Sequence, residues 1–236
     1  MGMSRQDAGD PEEQKRAWRP ATREMAMSLA RTLWDVNADL AARIRVHDFV
    51  QGLGDGSLPI EIFRHYVAQD AYFLDAFARA YGFCLANGTS RGDLTAFSGL
   101  IAGVVEELEL HRAYTERLQI DLVGVTPLLE VKVYVEFLLN TARRGRLGET
   151  IAAMTPCMRL YAWLGQSLAR TPVAPTYVDW VRTYADPGFE AMAVRLEALL
   201  DEHASDSAPV RANYRRAMEL EYGFFDSNFR RGARPS

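Results

Sequence analysis

The chain has 236 residues, close to half of them hydrophobic and a quarter charged, which is enough for one substantial core and ordinary for a soluble globular protein. Its 31 acidic and 27 basic side chains leave a net charge of −4, so there is no general electrostatic reason to bind nucleic acid or an anionic membrane. The two cysteines, Cys84 and Cys157, lie far apart in apolar runs, which excludes a disulfide framework or a cysteine zinc site and suits a reducing cytoplasm.

Residues 1–21 are polar, mixed in charge and lack an apolar core segment, so a disordered tail is expected there rather than a secretory leader. Residues 22–230 read as one helical domain and residues 231–236 as a flexible end. In "ATREMAMSLARTLWDVNADLAARIRVHDFVQGLG", Met25, Leu29, Leu33, Val36, Leu40 and Ile44 recur at spacings of three and four, one continuous amphipathic stripe. "GDGSLP" breaks that run, and Pro59 suits the first turn of a long helix that ends at "NGTSRGD". A further helix is expected over about 93–118; its apolar portion, "LTAFSGLIAGVV" (94–105), is too short to span a bilayer. Pro127 opens the next, and the helix carrying Cys157 runs to about residue 169. After "TPVAPT" come a shorter helix in "YVDWVRTYAD", another in "DPGFEAMAVRLEALLDEHA" and a last one from about Val210. No segment has the alternating β-branched pattern of a strand, so the expected architecture is all-α, with seven to nine helices.

Three segments stand out chemically. In "AAMTPCMRLYAWLG" (152–165) Pro156 directly precedes Cys157 within an apolar helix, and either a packed core thiol or a nucleophile fits that pattern. In "FRHYVAQDAYFLDAFARAYGF" (63–83), Asp70 sits among Tyr66, Phe73 and Leu74 one helical turn away. A carboxylate desolvated in this way needs a donor: a ligand with amide-like N–H groups, or an arginine or helix N-terminus across the core. In "MELEYGFFDSNF" (218–229), Glu221 lies beside Phe224 and Phe225, where burial would raise its pKa toward the range of acid–base catalysis; a surface glutamate with inward-facing neighbours also fits.

Taken together, "GSLPIEIFRHYVAQDAYFL", "TPCMRLYAWLG" and "EYGFFD" resemble, in order and spacing, the TenA family, also called thiaminase II or aminopyrimidine aminohydrolase. "HDFVQGLGDGSLP", Tyr134 in "VKVYVEFLLNTARRG" and "YVDWVRTYAD" extend the resemblance over roughly residues 24–230. It implies a heme-oxygenase-like helical bundle with a pocket between helices, no cofactor and no metal. It also implies an aminopyrimidine or thiamin substrate, cytoplasmic thiamin salvage and assembly as a homotetramer. Carried over position by position, Cys157 matches the nucleophile and Glu221 the acid–base residue. Asp70 matches the carboxylate that grips the aminopyrimidine edge, and Tyr134 and Tyr184 match pocket tyrosines; Tyr161, one turn beyond Cys157, is a further candidate. Pro156 is expected near a helix start, where free N–H groups would favour the thiolate.

The sequence departs from the family at one position, where Phe73 replaces a tyrosine found in many members. Two rival readings stand beside the hydrolase. Glu107 and His111, four residues apart in "EELELHRAYTE", could serve a metal-dependent oxidase, or simply pair with each other. A non-catalytic protein could instead keep the pyrimidine pocket without turnover. Cys84 reads as a core filler.

Overall fold

The computed structural model describes residues 28–120 and 124–232, without the side chains of residues 110, 111, 113, 114 and 232. The expected N-terminal tail lies outside the described residues, as does the side chain of His111. The ten α-helices among the described residues are α1 Leu29–Val36, α2 Ala38–Arg45, α3 Asp48–Asp55, α4 Ile60–Asn87 and α5 Arg91–Leu118. They continue with α6 Leu129–Arg143, α7 Leu147–Leu168, α8 Val178–Ala185 (entered through a 3-10 turn at Pro175–Tyr177), α9 Pro187–His203 and α10 Ala208–Gly232.

The single stripe expected over 21–54 is cut into three short helices. Asn37 ends α1 and begins α2; it is buried, donates from Nδ2 to the Leu33 carbonyl and accepts from Arg215. The His47 ring then caps α3, accepting from the Phe49 N–H at 3.1 Å. Both breaks redirect the chain without interrupting the apolar spacing, which is why a periodic reading runs through them. This subdivision carries the helix total past the expected seven to nine. Pro59 stands as the cap just outside α4 rather than inside its first turn.

The centre of the molecule is α7. Fifteen of its 22 residues are buried, so it is apolar nearly all round and must be enclosed on every side. It packs against α4, α6, α8, α9 and α10. Ala152, Ala153, Ala162 and Gly165 keep its surface low enough for close approach. At Gly165 a Cβ would overlap the backbone of Tyr184 and Ala185, so the α7–α8 contact is made backbone to backbone. On its wetter flank, Arg159 forks onto Glu197 and Glu190 of α9 at 2.7–2.9 Å. Gln69 of α4 fixes where α6 begins, accepting from the Leu128 N–H at 2.8 Å and donating to the Thr126 carbonyl at 3.2 Å. Asp93 and Ser90 form a capping box at the start of α5, and the His203 ring at the end of α9 meets the same Asp93 carboxylate at 2.7 Å.

These contacts make Gly165 a steric requirement. Gly165→Ala is expected to lower unfolding free energy by about 2 kcal/mol, the usual effect of overpacking. Gly99→Ala, where nothing lies within 4 Å of the added carbon, should be neutral or slightly stabilising. Urea denaturation of the two variants beside the parent chain measures the difference.

Candidate active site

The long helix α4 crosses α7 with Asp70, Phe73, Leu74 and Phe77 turned toward it, and together they bound an enclosed cavity. α7 contributes Cys157, Met158 and Tyr161, α5 contributes Glu107, α8 Tyr184 and α9 Phe189. The cavity is small, about 10 Å³, on the order of the space for one water molecule. Its lining has carboxylates and hydroxyls but no arginine, lysine or histidine.

Glu221 approaches from α10 and is 1 % exposed. Tyr134 of α6 donates its hydroxyl proton to Glu221 Oε1 at 2.7 Å, and the Cys157 thiol is hydrogen-bonded to the same carboxyl group. Burial raises the Glu221 pKa to about 7, helped by the nearby Asp70 charge and opposed by the bonds from Tyr134 and Cys157. Cys157 is held firmly as a thiol: burial pushes its pKa well up, and the carboxylates of Glu221, Glu107 and Asp70 push the same way. A resting proton therefore lies between sulfur and carboxylate, and removing it from sulfur means handing it to Glu221.

This corrects the expected source of thiolate character. Pro156 lies in the middle of α7, not near its start, so no free helix N–H groups surround the sulfur. Proline has no N–H to give to the Ala152 carbonyl, and the local backbone consequently presents an acceptor rather than a donor. Cys84 is also buried, with its pKa pushed up to about 12 by burial, and it does not line the cavity.

The other residues singled out in the sequence are placed as follows. Asp70 is 3 % exposed and faces the cavity. Phe73 packs its ring 4.7 Å from Tyr134 and 5.8 Å from Phe224, so the site is aromatic where a hydroxyl was absent from the sequence. Tyr161, one turn beyond Cys157, accepts from the Tyr66 hydroxyl at 3.3 Å, and Tyr66 accepts from Trp180 Nε1 at 3.3 Å. Tyr184 donates to Glu107 Oε1 at 2.5 Å.

Glu107 is the cavity residue that the sequence reading left as a candidate metal or histidine partner. A signal for it exists: Phe97, Leu100 and Val104 are buried at spacings of three and four, and Glu107 is the next position on that stripe. A charge at a core position was masked by Glu106 and Glu109, which look like an ordinary wet face. Among the described residues, one trio of His, Cys, Asp or Glu brings its ligand atoms within 4.8 Å: Asp93, Glu202 and His203. There Asp93 is already engaged as the α5 cap.

Residues 35–231 match the model of the TENA/THI-4/PQQC family. The aminopyrimidine aminohydrolase of Halalkalibacterium halodurans is 32 % identical over 212 residues, covering 85 % of this chain and 95 % of that one. That of Bacillus subtilis is 31 % identical, covering 79 % and 83 % respectively. Among solved structures, a TenA family transcription regulator from Silicibacter superimposes with a TM-score of 0.79 at 26 % identity, over 84 % of this chain and 95 % of that chain. A TenA homologue from P. horikoshii has the same TM-score at 23 % identity, over 86 % and 99 %, and supports the fold.

The buried Glu221 makes a stability prediction with a definite sign. Its folded pKa of about 7 lies above its ordinary value of 4.5, so the folded chain keeps a proton that the unfolded chain loses. The stabilisation is complete below about pH 4.5 and is lost as pH rises through about 7. Glu221→Gln removes that dependence while retaining an acceptor for Tyr134. It should therefore be more stable than the parent at pH 8 by about 3 kcal/mol, the difference shrinking toward zero near pH 4.5. Denaturant midpoints across that range check it.

Proposed function

This chain belongs to the TENA/THI-4/PQQC family, and on that premise we propose that it is a thiamin-salvage hydrolase. Its substrate is 4-amino-5-aminomethyl-2-methylpyrimidine, with thiamin as a second substrate. The observation that carries the reading is the buried relay of Cys157, Glu221 and Tyr134, beside a cavity whose charged groups are all carboxylates. Such a cavity suits a ring edged with N–H donors and bearing a basic substituent, and it disfavours anions.

The roles follow from position. Asp70 accepts from the amino edge of the pyrimidine and orients the ring, while Phe73, Phe77 and Tyr161 close over its faces. Glu221 takes the proton from Cys157 as sulfur bonds to a ring carbon. The ring electrons then form an exocyclic double bond to the methylene carbon, the C–N bond breaks, and the electron pair leaves with nitrogen. Glu221 returns its proton to that nitrogen, and ammonia departs. Water adds to the methylene, its proton passing to Glu221; the electrons flow back and expel sulfur, which takes the proton from Glu221. The net change is water in, ammonia out and a hydroxymethyl pyrimidine released. Tyr134 is a positioning residue, fixing the Glu221 carboxyl group that is also hydrogen-bonded to the Cys157 thiol.

We place the protein in the cytoplasm as a homotetramer, in line with the family resemblance and the two unpaired cysteines. Among the described residues no helix is long and apolar enough to cross a membrane.

Release of ammonia from the aminomethyl pyrimidine tests the reading, with Cys157→Ala as control. Turnover that falls at least 10³-fold in the variant is expected, on the order of the loss of a covalent nucleophile; silence of the folded parent on this substrate and on thiamin would sink the enzyme. Because Glu221 must start as a carboxylate, kcat/KM should rise with pH through about 7, and Glu221→Gln should erase that limb along with most activity. Phe73→Tyr should raise turnover if the missing hydroxyl limits the rate, and turnover unchanged or lower shows that it does not.

A further inference from the structure

Among the described residues, two buried tyrosine hydroxyls have no hydrogen-bond partner, those of Tyr81 and Tyr214, and both residues are 0 % exposed. A hydroxyl taken out of water without a partner destabilises the fold, so each calls for a physical reason. Tyr214 lies on α10, and beyond burial the charges that act on its hydroxyl are first Glu197 and Arg159, on the wetter flank of α7. Tyr81 is placed differently. Asp70, Phe73, Phe77 and Tyr81 follow at spacings of three, four and four along one face of α4. Their rings form a column: Phe73 stacks on Phe77 at 5.5 Å, and Phe77 meets Tyr81 edge-on at 5.0 Å. Phe77 in turn lines the cavity in which Cys157 stands. A long side chain on a helix leans toward the helix N-terminus, and for Tyr81 that is the direction of Phe77 and the cavity. The charges around the hydroxyls agree. Burial pushes the pKa of both Tyr134 and Tyr81 well up; beyond burial, Tyr134 is acted on first by Glu221 and then by Cys157, whereas for Tyr81 the order is Cys157, Cys84 and Glu107.

We propose that Tyr81 is a positioning residue for the sulfur of Cys157, turning its O–H dipole toward that sulfur when Glu221 takes the thiol proton. The proposal rests on the relay described under the proposed function and adds a residue to it. Proton transfer moves a negative charge from Glu221 to sulfur, and the carboxylates of Glu107 and Asp70 oppose that charge. The hydroxyls nearest the relay are already engaged: Tyr134 donates to Glu221, Tyr184 to Glu107 and Tyr66 to Tyr161. A phenol held by no acceptor rotates about its C–O bond, so the positive end of Tyr81 follows the charge without any rearrangement of the core. The same hydroxyl therefore costs stability in the resting chain and lowers the energy of the activated one.

Tyr81→Phe in the full chain removes the oxygen and keeps the ring. Its urea midpoint should equal or exceed that of the parent, because an unsatisfied polar atom is lost. Its kcat for ammonia release from the aminomethyl pyrimidine should fall about tenfold with KM unchanged, on the order of losing one donor to a charged group. Alkylation of Cys157 by iodoacetamide, followed by mass spectrometry beside Cys84, should slow by a similar factor, and this readout needs no substrate. Tyr214→Phe is the control: its midpoint should also hold or rise, while turnover and alkylation stay as in the parent. Tyr81→Met, which likewise lacks the hydroxyl, supplies the measurement should Tyr81→Phe fail to fold. Alkylation at an unchanged rate, or slowed equally by Tyr214→Phe, would overturn the role of Tyr81 and leave the hydrolase standing wherever the parent turns over. A folded parent inert on the pyrimidine and on thiamin would overturn the hydrolase, and alkylation then decides Tyr81 by itself. Slower reaction in Tyr81→Phe upholds the role; equal rates, or no reaction in either chain, overturn it.

Discussion

Everything at the centre of this molecule follows from one constraint: Glu221 and Cys157 share a proton in a space with little water. A carboxylate at 1 % exposure has lost most of its hydration, and what it keeps is one phenol hydroxyl from Tyr134 and one thiol. That environment lifts Glu221 to about 7, where it can both take and give a proton near neutrality. The same environment keeps the sulfur protonated until the carboxylate accepts its proton. Thiol and carboxyl are thus a coupled pair rather than two independently titrating groups.

Holding such a pair requires rigidity on all sides, and α7 supplies it. A helix buried almost all round cannot move without displacing its neighbours, and the glycine and alanines along it bring those neighbours close. The contact at Gly165 sets where α8 lies, and α8 carries Tyr184 to Glu107. Packing and the buried Cys157 are therefore linked through backbone proximity, about two turns along α7 from Cys157 to Gly165.

The aromatic shell has two functions. Tyr66, Tyr161, Trp180 and Phe225 pack against one another with ring centroids 5.7–6.3 Å apart, excluding water from the carboxylates. The hydroxyls of Tyr66 and Tyr161 and the indole N–H, linked in series, satisfy polar atoms that burial would otherwise leave unpaired. On the α9 side Phe189, with Glu107 of α5, borders both the inner cavity and a cleft between α5 and the α8–α9 corner.

The sequence by itself determined the helical class, the breaks at "GDGSLP" and "TPVAPT", and the company that Cys157, Asp70, Tyr134, Tyr161, Tyr184 and Glu221 keep. The class and the breaks are matters of local spacing; that the six residues gather is what the resemblance of motifs in fixed order implies, and no local pattern carries it. Tertiary structure alone decided which carboxylates meet. Glu107 read as a partner of His111 because sequence period cannot say what stands opposite a helix; only the placement of α8 brings Tyr184 to it. It also decided the electrostatics of Cys157, since helix position 156–157 relative to an end depends on how far α7 extends toward residue 147. The three-way split of the first helical stretch escaped the sequence for a related reason. Asn37 and His47 break hydrogen-bond ladders while leaving the apolar spacing intact, and their partners, Arg215 in one case and the Phe49 N–H in the other, exist only in the folded chain. Burial is a property of what packs against a residue, and a linear sequence records only the residue.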